Sequence, residues 1–120
     1  MKYITIIYGN KDLWQSFTPD EATNAIAEVD AFNRRYKESG ELIAAYGLGD
    51  ELTAKTVRVR NGLPAVTDGP YIEAKEFVSS FFLLDVDGEE RALEIAAEYP
   101  FASHNAVEVW PILHESSAEM

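Results

Sequence analysis

Residues 66–85 read VTDGPYIEAKEFVSSFFLLD, passing from a tight turn through a charged run into the most apolar segment of the chain. Gly69 can take a positive φ that other residues avoid, and Pro70 fixes φ near about −65° while removing a donor. Asp68 can hold this corner as an Asx-turn, accepting from the backbone just ahead of it. From Phe81 onward both alternating faces are apolar, which predicts a strand covered on both sides. A small pair, Ser79-Ser80, interrupts that strand. Small residues inside a strand admit another backbone or a ligand at close range, which explains them better than a nucleophile's role does.

Upstream, residues 3–8 predict a strand with Tyr3, Thr5 and Ile7 on one face and Ile4, Ile6 and Tyr8 on the other. Residues 10–17 read as a loop carrying Trp14 and Phe17, either a flap or a hydrophobic staple onto the next helix. Thr18-Pro19-Asp20-Glu21 is a capping box with proline at the first helical position. Ala22, Ala25, Ile26, Val29, Phe32 and Tyr36 then recur at helical spacing, and Gly40 stops the helix after Ser39. A second strand is expected over 41–48. Its Gly47-Leu48-Gly49 is not a dinucleotide fingerprint, because Leu52 occupies the third glycine position. Residues 56–60 alternate, with Val57 and Val59 expected inward. Asn61-Gly62 calls for a type I′ turn, with Leu63 to Val66 returning. Pro64 places that return on a sheet edge.

Downstream, Asp87-Gly88-Glu89-Glu90 predicts a second capping box opening a helix that runs to Tyr99 and stops at Pro100. A last strand over 106–113 follows. One domain over 1–113 and a flexible tail over 114–120 are expected. With the hairpin set aside, the order is βαββαβ, so the fold class is α+β and ferredoxin-like. One sheet with both helices on one face leaves its other face bare, and that face carries either Phe81/Leu83 or Phe82/Leu84. A second copy of the chain is the economical cover.

The chain has 120 residues, no cysteine and a formal net charge of −11. Disulfides and thiolate chemistry are excluded. The charge argues against nucleic-acid partners and anionic membranes. Arg58 with Arg60, and Arg34 with Arg35 and Lys37, are the basic clusters, each also readable as ordinary solvated charge. The absence of a membrane-length apolar run and of a signal-peptide layout predicts a cytoplasmic protein.

The run Thr67-Asp68-Gly69-Pro70-Tyr71, followed by Glu73, Lys75 and Glu76, resembles the signature of the DGPF family, a branch of the YCII-related proteins. The resemblance implies a dimeric α+β barrel. Most members of that family have no assigned reaction, and they often accompany extracytoplasmic-function sigma factors, which implies a signalling link. In the wider YCII branch a His–Asp pair is associated with acid–base work. The position of the histidine falls here in Thr18–Glu21, which has none, and that of the aspartate falls at Tyr99.

For chemistry, His104 and His114 stand ~33 Å apart along an extended chain at ~3.3 Å per residue, so they cannot share a metal. No metal site and no cofactor are expected. A small organic ligand is expected at the Asp68-Gly69-Pro70 corner, with Asp68 as candidate catalytic base. Tyr8, Gly69, Pro70, Glu73, Lys75 and His104 are the candidate ligand-binding residues. Two other readings stand beside this one: a noncatalytic regulatory module, and a structural homodimer whose corner is only architecture.

Overall fold

Alternation in the first ten residues builds an inner strand of the sheet. In a computed structural model describing residues 1–72 and 74–116, β1 (Lys2–Asn10) buries Tyr3, Thr5, Ile7 and Gly9 on one face. Residues 10–17 are not a loop: Asn10 accepts from the Asp12 amide at 2.8 Å and caps a short helix, α1 (Lys11–Ser16). The capping box at Thr18 forms as expected and opens α2 (Pro19–Glu38). Gly40, at φ +83°, ends that segment and turns the chain into β2 (Leu42–Gly47). A 3-10 turn (Glu51–Thr53) leads to the hairpin of β3 (Lys55–Arg60) and β4 (Leu63–Asp68). Then come β5 (Glu76–Asp85), α3 (Glu89–Ala97), a 3-10 turn (Pro100–Ser103) and β6 (Val107–Pro111).

The fold is mixed α+β with antiparallel sheets. Four strands pair in the order β2-β5-β1-β6, so the apolar segment of β5 lies between two neighbours. Thr5 faces Phe82 and Tyr3 faces Leu84 in the β1–β5 register. Phe82 and Leu84 are almost fully buried against Phe32 and Tyr36 of α2, Ile95 of α3, and Tyr99. Phe32 anchors this core, with its ring 5.5 Å from Phe82 and 5.2 Å from Tyr99. Burial of such rings dominates the stabilisation of a core this small.

The opposite sheet face carries Ile4, Ile6, Phe81 and Leu83, each half-buried, with Tyr46 and Trp110 exposed beside them. It has no cover among the described residues. Neither has the hairpin, which forms a two-stranded sheet of its own. Asn61 (φ 52°) and Gly62 (φ 76°) supply the two positive values that the type I′ turn demands. Val57 and Val59, expected inward, are 62% and 66% exposed, because the hairpin lies apart from the main sheet and no described residue covers that face. The chain exposes 8633 Å², against ~6,500 Å² for an ordinary monomer of its mass. Its radius of gyration, 16.6 Å, likewise exceeds the ~13.6 Å of a typical domain of this length.

The second expected capping box does not form. Gly88, which has no side chain, takes the cap position of α3, and Asp87 stands one residue too early to cap. The last strand is shorter than 106–113, since only Val107 to Pro111 pair with β1. Of the expected tail, residues 117–120 lie outside the described residues, while Glu115 pairs with Lys2 at 2.7 Å. No helix among the described residues is long and apolar enough to cross a membrane.

Candidate functional site

The β1–β5 ladder is irregular at one end. Ile7 faces Ser80 but Tyr8 faces Val78, so Ser79 is left over as a bulge, its hydroxyl donating to the Ile7 carbonyl at 3.1 Å. Bulges bend a strand and re-aim its side chains. Gly9, Ser79 and Ser80 keep the helix-facing side of the sheet thin here, beside the Phe77 ring, and a cavity of about 670 Å³ opens above it. Ile7, Gly9 and Ser80 contribute to its floor, Trp14 of α1 and Ile26 of α2 to its walls, and Tyr99 and Phe101 also line it. Ile26 belongs to the stripe expected in the core, yet it is 54% exposed, because the first half of α2 overhangs this cavity instead.

Trp14 is held against Phe101, ring centroids 5.4 Å apart, and Phe17 packs edge-on to Trp14 at 5.6 Å. The segment therefore works both ways: Phe17 anchors and Trp14 lines the cavity. Tyr99 is buried, and burial pushes its hydroxyl up in pKa, a hydrogen bond from Ser80 offsetting part of the rise.

A second cavity of about 600 Å³ lies around the same sheet end, lined by Tyr8, Pro70, Ile72 and Glu76 among others. Tyr8, Leu48, Gly49, Asp50 and Phe77 line both cavities, so the two are lobes of one cleft. The Tyr8 hydroxyl donates to Glu108 at 2.7 Å, and that bond, with some burial, raises its pKa. Asp50 caps the turn that follows, accepting from the Leu52 amide at 2.9 Å. Lys11 reaches across to Glu51 at 2.9 Å, and this pairing raises the lysine's pKa.

The fold brings together some of the expected residues and separates others. Tyr8 and Pro70 share the outer lobe. Asp68, at the end of β4, is exposed and accepts from the Lys55 ammonium. It makes no Asx-turn, because the residue two positions on is Pro70, which has no N–H to donate. The corner is instead held by the Gly69 amide donating to Ala54 at 2.7 Å and the Thr56 hydroxyl donating to the Gly69 carbonyl at 2.8 Å. Gly69 itself is buried at φ +91°. Asp68 and Pro70 also line a shallower groove on the hairpin, where Arg58 stands over the Tyr71 ring at 5.8 Å. Lys75 is exposed and lines neither lobe of the cleft; Glu73 lies outside the described residues. His104 is exposed, its ring 6.1 Å from Phe101. Among the described residues no three histidines, aspartates or glutamates stand close enough to hold a metal ion.

The sequence pointed to Ser79-Ser80 as a place where a ligand could approach closely, but not to Asp50 or Tyr99 as lining residues. The available signal was the coincidence of Gly9 and Ser79-Ser80, two small stretches on strands expected to be neighbours.

The model of the YCII-related domain family matches residues 1–116. An uncharacterized protein of Rhizobium meliloti (strain 1021) is 29% identical over 114 residues, covering 93% of this chain and 92% of that protein.

Proposed function

This chain belongs to the YCII-related family, and from that premise we propose that it binds a small organic molecule in the cleft at the Gly9–Ser79 end of the sheet. The observation that carries this reading is the 670 Å³ cavity with Trp14, Tyr99 and Phe101 on its surface. Its size and its mixture of aromatic walls with a few hydroxyls suit a ligand pocket. The outer lobe extends the cleft to Pro70, so the expected Asp68-Gly69-Pro70 corner borders the site.

Binding without chemistry is the reading this cleft favours. Ser80 and Tyr99 supply hydroxyls to its inner lobe, poor bases near neutrality, and its carboxylates, Asp30 and Asp50, are solvent-exposed, Asp50 already accepting from the Leu52 amide. Asp68 remains the candidate base for a catalytic variant of the same reading, acting from the rim with Lys55 as its partner. The four-stranded order with the hairpin set aside supports a ferredoxin-like unit spanning 1–113, and the bare sheet face supports a homodimer. Native mass spectrometry of freshly purified protein tests the proposal. A retained small molecule that disappears in Trp14→Ala is the expected result. Retention unaffected by Trp14→Ala moves the site elsewhere.

A further inference from the structure

Resting on that reading of the cleft, we propose that its ligand is a cation: an amine or quaternary ammonium carried on an apolar or aromatic body. Asp30 and Asp50 line the inner lobe, and Asp50, Glu51 and Glu76 line the outer one. Among the described residues Lys11 is the one cation lining these walls, and its ammonium is already engaged by Glu51 at 2.9 Å. Glu76 accepts from the side-chain amides of Asn10 and Asn105, neutral donors that leave its charge in place. Among the described residues neither Asp30 nor Asp50 makes a direct ion pair, although the Lys11 charge lies within reach of Asp50 and Asp30 shares a neighbouring groove with Arg34 and Lys37.

Between these carboxylates the walls are aromatic. Trp14 and Phe101 lie 5.4 Å apart, and Tyr99 and Phe101 6.3 Å apart, so the lining carries a cluster of rings, and a ring face attracts a cation through its quadrupole. An anionic ligand would lose its hydration here and meet carboxylates while the one described cation of the lining, Lys11, is already engaged by Glu51. A neutral ligand would fill the apolar volume but gain nothing from the acidic rim. The chain's net charge of −11 adds a long-range field of the same sign, which concentrates cations at a concave, low-dielectric mouth.

Trp14 provides the measurement. The other tryptophan, Trp110, lies on β6 outside the cleft, so a Trp110→Phe background leaves a fluorophore reporting on the cavity alone. That protein is titrated at low salt with three probes of similar size: benzyltrimethylammonium, benzyl alcohol and benzoate. The cation is expected to bind at least about tenfold more tightly than benzoate and to weaken as salt is raised. Asp30→Asn with Asp50→Asn is expected to cost the cation about tenfold while leaving benzyl alcohol unchanged. Asparagine at 50 keeps an amide oxygen for the Leu52 N–H, so the turn survives the change. Benzoate binding as tightly as the cation, or a cation affinity indifferent to the double substitution, overturns the charge inference while benzyl alcohol still reports a working cleft. Failure of all three probes to perturb Trp14 overturns the cleft reading along with it.

Discussion

A Cβ on Gly9 would stand 2.9 Å from the Cβ of Ser79. Carbons do not come that close without repulsion, so the bulge that opens the cleft depends on the absence of one side chain. The backbone at Gly9 has no positive φ, so contact alone sets the cost. Gly9→Ala is expected to destabilise by ~1–3 kcal/mol, as overpacking does elsewhere. Adding Ser79→Gly removes the opposing Cβ and should recover most of the loss. Urea unfolding of the two variants checks this, and an unaltered midpoint for Gly9→Ala would show that the approach is looser than described.

Thr5 is fully buried between Tyr3 and Ile7, and its hydroxyl has no hydrogen-bond partner among the described residues. An unsatisfied buried hydroxyl costs free energy that an apolar group of the same shape does not. Thr5→Val should therefore be neutral or stabilise by up to ~2 kcal/mol. A clear fall in melting temperature would mean that the hydroxyl is satisfied in solution, by an ordered water for example.

Arg91 of α3 grips Glu41, at the entry to β2, through two bonds of 2.7 and 2.9 Å. The guanidinium holds the Glu41 carboxyl below the usual carboxylate range, with Ser39 assisting against some desolvation. A depressed carboxylate contributes stability that is present above its unfolded pKa, near ~4.3, and is lost as pH falls through the folded value. Wild type should therefore lose stability below about pH 4.3 more steeply than Glu41→Gln, whose titration is removed. Parallel acid limbs in the two proteins would show the pair to be energetically idle.

How much of this was legible in the chain depends on whether a signal was local. The Thr18 capping box, the Asn61-Gly62 turn and the β5 apolar run are written within a few residues each, and each forms where expected. The α1 helix was hidden because six residues are too few for a periodic pattern, leaving only the Asn10 cap to reveal it. Val57 and Val59 misled because alternation reports which residues share a face, not whether anything covers it. The cleft was least legible of all. It arises from Gly9 meeting Ser79 across 70 residues of chain, and only the register of β1 on β5 brings them together.

That register also decides which aromatics face outward. Phe82 and Leu84 are in the core, so Phe81 and Leu83 are the pair on the bare face. The excess of roughly 2,000 Å² over an ordinary monomer is of the size that obligate homodimers bury. Phe81→Asp is expected to convert a micromolar dimer to monomer by sedimentation velocity while far-UV circular dichroism is retained. Leu84→Asp, which buries an unpaired charge in the core, should unfold the chain instead. A wild-type chain that sediments as a monomer removes the proposed dimer.

Asp68 and Gly69 separate chemistry from architecture at the corner between β4 and β5. Asp68 is exposed and paired with Lys55, an interaction that contributes little at a solvated surface, so Asp68→Asn should shift the melting temperature hardly at all. Gly69 is buried at φ +91° and donates to Ala54, so Gly69→Ala should cost ~1 kcal/mol or more through backbone strain alone. Ligand retention then gives the decision. If the cleft binds without chemistry, the Asp68→Asn protein keeps its small molecule, because that carboxylate lines neither lobe. Loss of the ligand or of a turnover in Asp68→Asn, with folding intact, would move the functional centre to the corner and make Asp68 its base. Gly69→Ala guards the comparison: a ligand lost there together with stability reports the shape of the corner, whereas one lost only in Asp68→Asn reports its charge.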